Sequence, residues 1–97
     1  MSVRVLFETH VRSDAIDELK SYLDEILPDT RAREGCQEID ASFDLDDPGS
    51  LVLVSRWDSK AHHLSYVAWR DETGVHEKIG TMLDGPLNVR WFEIYNE

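Results

Sequence analysis

His62, His63, Tyr66 and Trp69 fall within one eight-residue run, with Trp57 shortly before them. An imidazole titrates near neutral pH and can take a proton. A tyrosine hydroxyl and an indole N–H can each donate a hydrogen bond. These are the parts of an acid–base site beside an aromatic pocket. On a helix, His63, Tyr66 and Trp69 share one face, each three residues from the next. Only one of the adjacent pair His62 and His63 can point inward. Either histidine is therefore the candidate base, with Tyr66 and Trp57 as candidate donors. The plainer role of every one of these rings is packing, because large aromatics bury much area whatever their chemistry.

Other chemistries lack their motifs. Adjacent histidines do not make the i, i+4 pair that puts two imidazoles on one helix face, and there is no H-E-x-x-H, so no metal site is expected. Neither G-x-G-x-x-G nor a P-loop occurs, and no cofactor is expected. The single cysteine, Cys36, excludes an internal disulfide and suits a reducing cytoplasm. It reads as a small buried thiol, not a nucleophile. His10 and His76 read as partly exposed and solvated. A net charge of −10 argues against nucleic acid and anionic membranes as partners. No stretch approaches the ~20 apolar residues of a membrane span. The opening MSVRVLFETHV alternates and reads as a strand, not a signal peptide.

The elements that must position these residues follow from periodicity. Leu51–Val54 is too short an apolar run for a helix and suits a strand, Ser50–Trp57. Asp58-Ser59 offers caps for a helix from about Lys60 to Arg70. After Glu72-Thr73-Gly74, a further helical piece carries Val75, Ile79, Met82 and Leu83. Gly85-Pro86 stops it, and Leu87–Tyr95 is a last strand.

Upstream, Val3, Val5, Phe7, Thr9 and Val11 alternate with Arg4, Leu6, Glu8 and His10, so a first strand is apolar on both faces and central. Ser13 or Asp14 is expected to cap a helix striped by Ile16, Leu19, Leu23, Ile26 and Leu27. Pro28 either ends that helix or kinks it. Gly35 supplies the left-handed stop. A second strand, Gln37–Leu45, joins the third by the turn-forming Asp46-Asp47-Pro48-Gly49 as a hairpin.

Ninety-seven residues make one domain, 1–97. The order β-α-β, β-α-(α)-β gives an α+β fold: a ferredoxin-like split βαβ, with a four-stranded antiparallel sheet and helices on one face. The other sheet face stays open. A homodimer packed sheet against sheet would cover it.

The run from Arg4 to Tyr66 resembles the antibiotic biosynthesis monooxygenase (ABM) family. The opening strand and helix, E-G-C after the long helix, the D-D-P turn, and V-S-R-W-D-S before the next helix carry the likeness. The resemblance implies a dimeric α+β barrel. It also implies cofactor-free oxidation of a small phenol or quinol: the substrate loses a proton and its anion reacts directly with dioxygen. Trp57 matches an aromatic that lines the pocket in active members. Tyr66 stands where many members have a histidine, and the first strand lacks the asparagine of haem-degrading members, so haem degradation is not implied. In this reading His63, Tyr66 and Trp57 are catalytic, and Phe7, Thr9, Phe43, Trp69 and His62 contact the substrate. The alternative is a non-catalytic dimeric domain that binds a small aromatic ligand or serves as a scaffold.

Overall fold

The computed structural model describes all residues, Met1–Glu97. Four strands, β1 (Val3–His10), β2 (Cys36–Phe43), β3 (Ser50–Trp57) and β4 (Asn88–Glu93), form one antiparallel sheet in the order β2-β3-β1-β4. Three helices, α1 (Ile16–Arg31), α2 (Lys60–Glu72) and α3 (Val75–Gly80), complete this ferredoxin-like α+β fold. β1 is central, as its apolar character on both faces requires.

Register fixes which side chains look at the helices. Val5 lies opposite Ser55 and Trp91, Phe7 opposite Leu53 and Val89, and Val3 opposite Trp57. Partners directly across a sheet share a face, so these side chains make one wall. The opposite face carries Leu6 across from Val54, and Val52 across from Glu8. Leu6, Val52 and Val54 are half-buried and Phe92 is exposed, with no helix over them.

Several element ends differ from the sequence expectation. α3 stops at Gly80, so Met82 and Leu83, expected on its stripe, lie beyond it, and Leu83 instead bridges to Val11. Three other ends differ for local reasons. Neither Ser13 nor Asp14 caps α1. Asp14 is engaged by Arg12 at 3.0 Å, Ala15 N–H bonds Arg12 O, and the helix starts from buried Ala15 without a side-chain cap. β2 stops at Phe43 because the Asp44 carboxylate accepts from the N–H groups of Asp46 and Asp47, turning the chain and leaving Leu45 fully exposed. β4 stops at Glu93, which faces Val3; β1 begins there, and Tyr95 beyond it is exposed. Pro28 does not end α1, which runs on through Arg31.

The core is divided. One cluster gathers Leu19, Leu23, Ile26, Leu27, Ile39, Val75 and Ile79 with their neighbours, and a smaller one holds Val5, Trp57 and Tyr66. The space between them is the candidate site.

Candidate active site

A cavity of about 390 Å³ lies between the sheet and the helices, lined from both core clusters. Seventeen of its 22 lining residues are hydrophobic, so any polar group inside acts in a poorly solvated place. Exposed lining residues Leu64, Asp71, Leu87 and Trp91 mark its mouth, between α2 and the start of β4.

α2 aims the site. Ser59 caps it, its Oγ accepting from His62 N–H at 3.1 Å and lying 2.6 Å from His62 Nδ1. This draws the His62 ring back over Gly35, whose φ of 86° and lack of a side chain both suit glycine; a Cβ there would overlap the imidazole. His62 is thereby turned out of the cavity and His63 into it.

His63 is only 7% exposed and packs edge-on to Trp57 and Trp91, with ring centroids 5.4 and 5.9 Å away. Trp91 Nε1–H donates to His63 Nδ1 at 3.0 Å. Indole is a donor only, so Nδ1 must offer a lone pair and the neutral ring carries its proton on Nε2. Burial, helped by the nearby charge of His76, pushes the His63 pKa down to about 4. At neutral pH this residue is an uncharged N–H donor.

The expected roles of Trp57 and Tyr66 as free donors are not what the geometry shows. Trp57 is fully buried and gives its N–H to Ser55 Oγ at 3.0 Å. Tyr66 lines the cavity with its ring, but its hydroxyl lies 2.9 Å from Thr30 Oγ1 and accepts from Arg70 Nε at 3.2 Å. Arg70 also donates to Ile26 O at 2.7 Å and Thr30 Oγ1 at 2.9 Å. It is 3% exposed and has no carboxylate partner; its guanidinium lies 4.3 Å from the Trp69 ring centre. Tyr66 is thus the anchor of a buried polar knot between α1 and α2.

Of the expected site residues, the cavity brings together His63, Tyr66, Trp57 and Phe7. It does not include His62, Trp69, Phe43 or Thr9. Trp69 is held between Arg33 and Arg70, at 4.6 and 4.3 Å, outside the cavity. Phe43 sits at the far end of β2 under Lys20. Thr9 lies on the correct face but one pleat too far, opposite Leu51, and its buried hydroxyl has no partner.

Four lining residues with polar atoms, Ser55, Asp71, His76 and Trp91, were not expected from the sequence. Trp91 reaches in from β4. His76, expected to be solvated, is half-buried in the cavity wall, with Nδ1 2.6 Å from Asp71 Oδ1. Only the break at Gly74, with φ of 78°, lets α3 fold back to bring position 76 beside position 71. No group of three or more His, Cys, Asp or Glu side chains is placed to hold a metal ion, and no helix is long and apolar enough to cross a membrane.

Several solved structures share this architecture. Rv0793 from Mycobacterium tuberculosis is 27% identical with a TM-score of 0.87, covering 100% of this chain and 98% of its own. A structure described as an antibiotic biosynthesis monooxygenase is 22% identical with a TM-score of 0.87, covering 96% and 98%. A conserved protein from Methanosarcina mazei is 15% identical with a TM-score of 0.88, covering 96% and 92%. The last two show the fold alone. No curated protein matches the chain. The sequence pattern of antibiotic biosynthesis monooxygenases, however, matches residues 2–76, most of the chain and all of β1 to α2. The chain belongs to the antibiotic biosynthesis monooxygenase family.

Proposed function

We propose that this protein is a cofactor-independent monooxygenase that oxidises a small phenol or quinol with dioxygen, working as a homodimer in a reducing cytoplasm. The observation that carries the reading is the apolar cavity with the neutral N–H of buried His63 in its wall. A void of this size forgoes packing worth on the order of several kcal/mol, a large share of a domain's net stability. A chain keeps such a space for an occupant.

In this reading the phenolate oxygen accepts from His63 Nε2–H, which has no protein partner. The electron-rich ring carbon gives electrons to dioxygen and a C–O bond forms, giving a hydroperoxide. The O–O bond then breaks with loss of water, leaving a carbonyl. Phenol and dioxygen become quinone and water: the substrate gives up four electrons, one oxygen atom stays on the ring and the other leaves. Trp57, Tyr66 and Phe7 supply walls that keep out bulk water.

The homodimer is supported by the uncovered sheet face, where Leu6, Val52, Val54 and Phe92 form an apolar patch. The reducing setting is supported by the lone Cys36, whose thiol pKa burial pushes up.

The test is oxygen uptake by metal-free protein across a panel of phenols and quinols, beside a His63→Leu variant. Saturable uptake that falls on the order of 10²-fold in the variant supports the reading. Uptake at the buffer rate, with saturable quenching of tryptophan fluorescence by the same compounds, would instead make this a ligand-binding domain.

A further inference from the structure

We propose that Asp71 and His76 form the site's proton-accepting dyad, with His76 Nε2 as the general base and Asp71 as its positioning residue. This rests on the oxygenase reading above. Among the lining residues only His63, Tyr66, Asp71 and His76 titrate. His63 is unsuited to be the base: Trp91 occupies its lone pair and its other nitrogen carries the proton. Tyr66 is tied to Thr30 and Arg70. Asp71 is mostly exposed at the mouth, with its side chain 62% accessible.

His76 has the geometry a base needs. Its Nδ1 lies 2.6 Å from the Asp71 carboxylate, which accepts the Nδ1 proton and so leaves the Nε2 lone pair free. Nε2 has no protein partner. A carboxylate that orients the imidazole also stabilises the imidazolium formed when it takes a proton. The two histidines then divide the work: His63 holds the substrate oxygen and His76 takes its proton. Charge on His76 further disfavours charge on His63, so the donor stays neutral while the base is loaded.

The proton inventory closes. The phenolic proton moves to His76 Nε2, leaving a phenolate beside an imidazolium. His76 returns it to the oxygen that leaves when the O–O bond breaks. The second hydrogen of that water comes from the oxidised ring carbon.

Two measurements decide. First, the pH profile of kcat/KM for oxygen uptake is compared in wild type, His76→Gln and Asp71→Asn. Wild type should show an acid limb; His76→Gln should lose about 10²-fold and lose the limb. Asp71→Asn should keep the limb but lose activity, because the amide can still hold the ring yet no longer stabilises the imidazolium formed in the reaction. A mere brace between α2 and α3 would lower Tm in both variants and leave kcat/KM and its limb as in wild type, and that result overturns the proposal. Second, para-nitrophenol is titrated anaerobically with each protein. Bound to wild type it should ionise below its free pKa, and bound to His76→Gln above it; equal values overturn the dyad. A probe shift without uptake from any phenol keeps the dyad and sinks the oxygenase reading. Uptake that His76→Gln leaves intact does the reverse. If the probe fails to bind, the kinetic arm decides; if no phenol supports uptake either, both fall.

Discussion

Trp91 on β4 gives its indole N–H to Nδ1 of His63 on α2 at 3.0 Å, joining an edge strand to a helix beside the cavity mouth. Lys60, at the start of α2, lies 4.4 Å from the Trp91 ring centre and adds a cation–π contact to the same junction. Nothing else pairs β4 on its outer side, since its one sheet neighbour is β1. The contact therefore has two effects: it pins the edge strand, and it sets the tautomer of the buried imidazole of His63.

Trp91→Phe separates them, keeping the ring and removing the N–H. The expected loss is about 1 kcal/mol of stability, the net worth of one such hydrogen bond. The His63 titration should also move upward, because a hydrogen bond to the neutral ring's lone pair no longer opposes protonation. A histidine NMR titration checks both tautomer and pKa. An unchanged His63 would mean that Trp91 does not hold its tautomer.

His63 also predicts an acid weakness. Its pKa is about 4 folded and near 6.5 unfolded. Between these values the unfolded chain binds a proton that the folded chain does not, so stability falls as pH drops from 6.5 towards 4. Urea midpoints across that range should fall more for wild type than for His63→Leu. Parallel curves would place the acid sensitivity elsewhere.

Tyr66→Phe tests whether that hydroxyl is structural. It removes a group bonded to Thr30 and Arg70 and leaves the cavity wall in place. Stability should fall by about 1–2 kcal/mol, since Arg70 Nε and Thr30 lose a partner in a buried place. Oxygen uptake should stay within about twofold, because the hydroxyl does not reach the substrate. A loss of uptake without a loss of stability would restore Tyr66 to the chemistry.

The fold was legible because its signals are local. The Leu51–Val54 run, the Ser59 cap and the stripe of α1 each act within one or two turns of chain. The site was legible only in part. Periodicity put His63 and Tyr66 on one face together with Trp69 and left either His62 or His63 as the inward ring; it could not say where the polar atoms point, which depends on Trp91 from β4 and on Thr30 from α1. His76 was hidden because its place depends on a left-handed glycine that folds α3 back on α2. Thr9 and Phe43 were misplaced because alternation assigns a face, not a position along the strand.

His10 predicts a pH effect of opposite sign. Its Nδ1 lies 2.5 Å from Asp84 Oδ1 and its Nε2 3.0 Å from Asp47 Oδ2, tying the β2–β3 turn to the segment after α3. The bonds to Asp84 and then Asp47 raise its pKa. A raised folded pKa gives stability that is full below the unfolded value near 6.5 and is lost as pH rises through the folded value. Wild type should therefore lose Tm as pH rises above about 6.5 while His10→Gln stays level. Equal slopes would show that the clamp holds without charge.

The open sheet face carries the last prediction. Leu6 and Val54 are direct cross-strand partners on that face, half-buried without any helix above them. Their row ends in Asp40 on one side and Arg90 on the other, so an apolar centre is framed by charge, the layout of a surface that packs against another. In a two-fold dimer the same patch meets itself, and one substitution enters the interface twice. Leu6→Asp with Val54→Asp would bring four carboxylates into that contact. Wild type should sediment as a dimer with a Tm that rises with concentration, and the double variant as a monomer whose Tm does not. A wild type that sediments as a monomer at high concentration would sink the dimer and leave the cavity, which one protomer builds alone, untouched.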